Sequence, residues 1–192
     1  VIARTVPPPD DKNLEGAVYH SCDLSARQIP PSILSGVDLI FHVAAKAGVA
    51  GTYSSYHSAN YQATLNILES CLSTGIPRLV YTSSPSVTFS GKPIRAGTES
   101  LPYAKDKVSY YSLTKAMAEK AVLEAHDPGK LQTIALRPHL VWGEGDPHLL
   151  PRVISRHKEG KLKIVGDGKN QVDLTHVDNV CHAHLCAMKT LL

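Results

Sequence analysis

Tyr111-Ser112-Leu113-Thr114-Lys115 sits in a stretch of helical period, so the phenol and the ammonium, four residues apart, share one helix face. A phenol ordinarily titrates near ~10 and is a poor acid at neutral pH. A cation at ~4 Å and an effective dielectric of ~20 contributes about 4 kcal/mol, enough to bring the phenol toward ~7. Such a pair can donate a proton to an oxygen that becomes negative in a reaction. The spacing alone is weak, since an amphipathic tyrosine beside a solvated lysine is commoner. The same spacing recurs at Tyr103 and Lys107, in a proline-flanked loop that offers no helix face. Upstream, the apolar run Arg78–Thr82 ends in Tyr81-Thr82-Ser83-Ser84. Parallel α/β sheets gather ligands at the carboxyl ends of their strands, which places these hydroxyls in a cleft with Tyr111 and Lys115. On their own, Ser83 and Ser84 read as turn or cap residues.

The elements that must position these groups alternate between short apolar runs and longer helical stretches, the pattern of a parallel sheet covered by helices. Strands are predicted over Val1–Val6, Ala17–His20, Val37–Ala44, Arg78–Thr82, Leu131–Arg137 and Leu162–Val165. The near-continuous apolar run Val37–Ala44 reads as a central strand buried on both faces. Helices are predicted over Ser25–Leu34, Tyr53–Ser73, Ser109–His126, Leu149–Glu159 and Val177–Leu192, the last capped by Thr175 or Asp178. Gly75-Ile76-Pro77 and Asp127-Pro128-Gly129 stop the two long ones. The region between Ser86 and Lys107 has no period and is long enough for a functional loop. None of the pairs Gly48/Gly51, Gly143/Gly145 and Gly166/Gly168 follows an apolar strand and opens a helix as a pyrophosphate-binding turn does. The expectation is a Rossmann-type doubly wound parallel sheet entered at its second strand, incomplete at the N-terminus, with a small C-terminal substrate-binding portion. Residues 1–142 would form the partial nucleotide-binding domain, and residues 143–192 a substrate-side segment and returning helix.

The 192 residues suit one domain, and 43% hydrophobic content supports a sizeable core. A net charge of +3 with 19% charged residues does not mark a nucleic-acid or membrane-surface protein. Asp38, His42 and Lys46 interrupt the most apolar region, so no membrane span is predicted, and without a secretory signal pattern the expected location is cytoplasmic. Cys22, Cys71, Cys181 and Cys186 are irregularly spaced and read as reduced core thiols. In the run Cys181, His182, His184, Cys186 only His182 and Cys186 share a face, so packing is favoured over metal. Asp167 and Asp173 read as turn and surface residues, and His42 as a buried polar contact.

Taken in order, Cys22-Asp23-Leu24, Phe41-His42-Val43-Ala44-Ala45, Asn60-Tyr-Gln-Ala-Thr64, Tyr81-Thr-Ser-Ser84, Tyr111-x-x-x-Lys115, Leu136-Arg137-Pro138 and Val177-Asp178-Asn179 resemble the extended short-chain dehydrogenases/reductases over nearly the whole chain. Ala63 stands where that helix motif usually has glycine. Leu101-Pro-Tyr, Gly145-Asp-Pro-His148-Leu-Leu-Pro151 and Gly166-Asp-Gly-Lys-Asn-Gln-Val-Asp173 are similar to the branch holding 3β-hydroxysteroid and sterol-4-carboxylate 3-dehydrogenases. Ala45-Lys-Ala-Gly48, Gly51-x-Tyr53-x-x-Tyr56-His57-x-Ala59-Asn60, Ser84-Pro-Ser-Val87 and Arg137-Pro-x-Leu-x-Trp142-Gly143 resemble the 2-alkyl-3-oxoalkanoate reductases of bacterial olefin biosynthesis, although that subgroup often has tryptophan at the position of Ala50.

The resemblance implies NAD(P)H-dependent reduction of an apolar keto substrate, with Tyr111 protonating the forming alkoxide, Lys115 assisting it and holding the nicotinamide ribose, and Ser84 binding the substrate carbonyl. Asp23 and Leu24 would lie near the adenine, Ala44, Ala45, Lys46 and Thr82 along the cofactor, and Pro138 beside the nicotinamide. Arg4 would favour a 2′-phosphate, hence NADPH over NADH. Pro85, His139 and Trp142 would line the substrate side, and Lys46 could pair with the carboxylate of a 3-oxo acid. The alternatives are a steroid or sterol dehydrogenase, a sugar-nucleotide epimerase/dehydratase, or a fragment that binds the cofactor weakly for want of the glycine-rich turn. The resemblance also implies a homodimer through the two long helices.

Overall fold

A computed structural model of the chain describes residues 1–6, 16–48, 50–104, 109–146, 149–164 and 166–192. Lys107, Pro147, His148 and Val165, each part of an expectation above, lie outside them. The sheet that carries the site has three parallel strands in the order β3 (Ile40–His42), β4 (Arg78–Thr82), β5 (Gln132–Leu136). Its register aligns His42 with Tyr81 and Thr82 with Leu136, so the carboxyl ends finish side by side.

The middle strand, β4, is apolar on both faces because helices cover both. Leu79 and Tyr81 pack with Ile67, Leu68 and Cys71 of α3 (Ala63–Thr74) and Ala118 and Val122 of α4 (Tyr110–Glu124). Val80 faces the other way, onto Ala187 of α6 (Val177–Thr190) and Leu191 just beyond it. Strand alternation thus sends neighbouring side chains into two separate cores. This is the doubly wound arrangement. The short helix α1 (Pro31–Leu34) adds Leu34 to the first core.

Two two-stranded parallel pairs flank the sheet, β1 (Ile2–Ala3) with β2 (His20–Ser21), and β6 (Val141–Trp142) with β7 (Thr175–His176). The last pair was not anticipated, and the strand expected within 162–165 is not one at residues 162–164. Val37–Ala44 is not the central strand either. Only Ile40–His42 is extended in the sheet, β3 is hydrogen-bonded on one edge only among the described residues, and Phe41 and Val43 are exposed. Burial on both faces belongs to β4.

The long first helix is continuous but not uniform. After α2 (Tyr53–Tyr56), a π-helical stretch spans His57–Gln62 before α3 begins. Thr52 caps α2, and Gly75, at φ +74°, ends α3 in the left-handed conformation that glycine adopts without a Cβ clash. Ser109 caps α4 by accepting from the Ser112 amide at 3.0 Å, which sets where the Tyr111 helix starts. The cap of α6 is neither Thr175 nor Asp178 but His176, whose Nδ1 accepts from the Asp178 amide. The remaining helix, α5 (Leu149–Lys158), has no buried residue. Cys22 and Cys71 are core thiols as expected, whereas Cys181 and Cys186 lie exposed on α6.

Candidate active site

Lys115 is 2% exposed, and its ammonium donates to the Thr82 carbonyl at 2.5 Å while lying 4.2 Å from the centre of the Tyr81 ring. The helix bearing Tyr111 and Lys115 is therefore pinned to the carboxyl end of β4 by a buried lysine. Burial pushes the Lys115 ammonium down to about 7, opposed by the negative charge of Glu119 one turn further along α4.

Tyr111 lies one turn before Lys115, with Ser84 beside its phenol. Burial raises its phenol and the Ser84 hydroxyl opposes that rise. The expectation that Lys115 would acidify Tyr111 is thus corrected in direction. Desolvation dominates, and the lysine's charge is taken up by the Thr82 carbonyl and the Tyr81 ring. A raised phenol stays protonated at neutral pH, the state a proton donor requires. Ser84 is half-buried and extended, and it caps the turn Pro85–Val87 by accepting from the Ser86 amide at 3.3 Å, while the Ser86 hydroxyl donates to it at 3.0 Å. The cap reading and the functional reading of Ser84 coexist, because capping fixes the hydroxyl beside Tyr111.

Behind these groups runs a buried polar seam. Asn60, carried by the π-helical stretch, accepts from the Lys46 amide at 2.7 Å and donates to the Lys46 carbonyl and to Thr114 Oγ1, both at 3.1 Å. It couples the loop after β3 to the helix bearing Tyr111 and Lys115. Thr64 joins His42 Nε2 at 2.8 Å, and His42 Nδ1 is buried with no partner among the described residues. Burial, with Lys115 nearby, holds the His42 imidazole down at about 3, so it stays neutral.

On the far side of Lys115, Glu119 is 1% exposed and receives Arg137 through Nε at 3.0 Å and Nη2 at 2.5 Å, and the Tyr103 hydroxyl at 2.9 Å. Burial pushes the carboxyl up, but hydrogen bonds from Arg137 and Tyr103 outweigh it and hold the group below the ordinary carboxylate range. Tyr103, the tyrosine of the rejected second match, serves this carboxylate. Sequence reading missed Glu119. Its signal was available, since it follows Lys115 at another four-residue step on the same helix face.

The other expected positions form three groups. Ala44, Ala45 and Lys46 leave the end of β3, the two alanines exposed and with nothing beyond Cβ to block a flat ligand from the backbone. Pro138 lines a cleft of about 190 Å³ with Leu136, Thr175, Asn179 and His184, and His184 Nε2 meets Thr82 Oγ1 at 2.7 Å. His139 and Trp142 belong to the β6–β7 side, where the Trp142 and His176 rings lie 4.8 Å apart, while Pro85 opens the turn after Ser84. Arg4 and Asp23 follow β1 and β2 in a separate corner. Asp23 accepts from the Ser25 amide and hydroxyl, which hold it below its ordinary range, and Leu24 packs against the core. Hydroxyls at Thr82, Ser84 and Tyr111, the Lys115 ammonium, the open backbone at Ala44–Ala45 and an unpartnered buried ring nitrogen at His42 suit a nicotinamide dinucleotide laid across the strand ends. Cys186 Sγ and His182 Nε2 are 3.4 Å apart and exposed, and among the described residues no three potential ligands gather into a metal site.

Among solved structures, that of MoeE5 in complex with UDP-glucuronic acid and NAD superposes with a TM-score of 0.77 at 30% identity, covering 96% of this chain and 61% of that one. A 2-alkyl-3-oxoalkanoate reductase of Stenotrophomonas maltophilia is 47% identical over 88% of this chain and 52% of its own length. A decarboxylating sterol-4-alpha-carboxylate 3-dehydrogenase of Bos taurus is 43% identical over 88% of this chain and 48% of its own. The chain spans about half the length of these curated relatives. A family profile matches from Arg4 to the final residue, through β2, the three-stranded sheet, the Tyr111 helix and α6, over residues 4–192. The chain belongs to the 3-beta hydroxysteroid dehydrogenase/isomerase family.

Proposed function

We propose that the protein is an NAD(P)-dependent oxidoreductase that interconverts a ketone and a secondary alcohol on a carbon next to one bearing a carboxylate, with a long-chain 2-alkyl-3-oxo acid as substrate. The observation that carries this reading is Tyr111, with Ser84 beside its phenol and one helical turn from a Lys115 buried against the end of β4. When bound, the nicotinamide supplies the hydride that reduces the carbonyl carbon. Ser84 holds the carbonyl oxygen, and Tyr111 releases its hydroxyl proton to that oxygen as negative charge develops on it. Lys115, poised near neutrality, stabilises the phenolate left behind. Thr82, Ala44, Ala45 and Pro138 would flank the dinucleotide. Asp23 and Leu24 would lie at its adenosine end, and Arg4 is an apt partner for a 2′-phosphate, which favours NADPH.

The substrate class rests on chemistry common to the two curated relatives. Their names describe acids whose carboxyl-bearing carbon adjoins the carbon that is oxidised or reduced. The second reading is a sterol-type dehydrogenase using the same three residues with a different lining from residues 143–192. A homodimer through the helices at Tyr53 and Ser109 would leave the cleft at the strand ends free.

The test is NADPH oxidation with a 2-alkyl-3-oxoalkanoic acid and a 3-oxosteroid side by side, with Tyr111→Phe as control. Turnover of the acid, lost in the variant, is expected. Turnover of the steroid alone would promote the second reading, and turnover unaffected by Tyr111→Phe would remove the proposed proton donor.

A further inference from the structure

The basic side chains at the carboxyl ends of the three strands differ in what they already serve. Lys115 is committed to the Thr82 carbonyl and Arg137 to Glu119, while the His184 ring bridges Thr82 and the Val180 carbonyl. Lys46 is different. Among the described residues no carboxylate lies within 4.0 Å of its ammonium, yet its backbone is bracketed and its ammonium lies beside an aromatic ring.

Its amide and carbonyl are both bonded to the Asn60 side chain, as a neighbouring strand would bond them. Asn60 is itself 1% exposed and tied to Thr114 on the Tyr111 helix. The ammonium lies 5.2 Å from the centre of the Tyr56 ring. That ring is fixed in turn, because its hydroxyl donates to the carbonyls of Gly48 at 2.8 Å and Ala50 at 3.2 Å. Gly51, at φ +140°, leaves the room that the stem occupies, since a Cβ there would stand 3.0 Å from Lys46 Cε and 3.2 Å from the Tyr56 ring. Backbone bracket, aromatic wall and glycine gap together make a built trough for a half-buried lysine.

Resting on the substrate class proposed above, we infer that Lys46 is the carboxylate-binding residue of the site, pairing with the acid group that adjoins the reacting carbonyl. A carboxylate one carbon away from the ketone must lie close to Ser84 and Tyr111 when the ketone is in place. Asn60 ties the Lys46 backbone to the helix that bears Tyr111, so the root of the lysine side chain is anchored to the element that carries the proposed proton donor. Lys46 thus selects β-oxo acids over neutral ketones of the same shape, through a charge-assisted hydrogen bond that an ester cannot make as strongly.

The experiment compares kcat/KM for a freshly released 2-alkyl-3-oxoalkanoic acid and its methyl ester in the wild type, Lys46→Met and Lys46→Arg. The acid-to-ester ratio is expected to fall about 10- to 100-fold in Lys46→Met, the effect of losing one charge-assisted bond, and to recover in part in Lys46→Arg. Acid and ester falling by the same factor in Lys46→Met would overturn the inference, because a lysine serving the cofactor or the fold affects both alike. Binding of 2-hexyldecanoate and of its neutral amide, followed by calorimetry, separates this inference from the reductase reading. Weaker binding of the carboxylate alone in Lys46→Met supports the inference even if no ketone is reduced, and equal binding to both proteins overturns it.

Discussion

The Tyr111 helix and α5 differ in nearly every respect that fixes a side chain. Along α4, Ser112, Thr114, Lys115 and Glu119 are buried polar residues, and Thr114, Lys115 and Glu119 are bonded to groups outside the helix. Along α5 nothing is buried, and Leu150, Val153 and Ile154 stand exposed beside Arg152, Arg156 and Lys158. The chemical groups are thus held by interactions that are costly to break, whereas the segment expected to shape the substrate side carries few constraints of its own. Substitutions should have large effects on stability or turnover in the first region and small ones in the second.

Glu119 offers the largest structural effect. Glu119→Gln leaves Arg137 without its anion and Lys115 without its nearest counter-charge. A loss of about 3 kcal/mol is expected in denaturant unfolding, at the low end for a buried pair because the Arg137 side chain keeps 20% exposure. The same variant should move the alkaline limb of the reduction rate to lower pH. Lys115, near 7 in the wild type, would then lose its proton earlier and stop stabilising the phenolate. A limb that stays in place would separate Glu119 from the chemistry and leave it a purely structural anchor.

Lys115→Met should do the opposite to stability while abolishing turnover. The folded-state value near 7 lies below the ordinary 10.5, so below pH 7 the folded protein bears the full cost of a buried charge. Between 7 and 10.5 the unfolded chain holds the proton that the folded one has released, and stability recovers as pH rises. Lys115→Met should therefore melt above the wild type at pH 6, with the gap closing toward pH 10. A variant that melts lower at pH 6 would show that the Thr82 and Tyr81 contacts outweigh burial.

His42 acts in the same pH sense as Lys115, over a lower window. Its folded value near 3 lies below the ordinary 6.5, so stability is full above about 6.5 and is lost as pH falls toward 3, where the unfolded imidazole charges and the folded one does not. His42→Gln should flatten melting temperature across that window, and an unchanged slope would place the linked proton elsewhere. The smallest effect belongs to α5. Ile154→Ser, at a side chain 52% exposed, should shift stability by no more than about 0.5 kcal/mol.

These contrasts also explain what could be read before any coordinates. Arg78–Thr82 and the Gly75 stop are strong local signals, a short apolar run and a left-handed cap, and both stand where expected. Tyr111, Lys115 and Ser84 were legible because helix spacing and strand ends translate directly into position. Tertiary partners were not. The sign of the Tyr111 shift depends on how deeply the folded chain buries it, and the burial of Val37–Ala44 depends on which strands lie alongside. Asn60 reaches Lys46 and Thr114 from a π-helical stretch, which hydrophobic periodicity does not reveal. The β6–β7 pair joins residues far apart in sequence, each a two-residue strand too short for any pattern.

The most direct test of the account follows the hydride itself. NADPH deuterated at C4 of the nicotinamide is incubated with a 2-alkyl-3-oxoalkanoic acid, and the product alcohol is weighed by mass spectrometry for the wild type and Tyr111→Phe. The account predicts an alcohol one mass unit heavier from the wild type, and at least about 100-fold less of it from the variant at unchanged melting temperature. A labelled alcohol formed equally by both proteins, or cofactor consumed with no label in the alcohol, would contradict it.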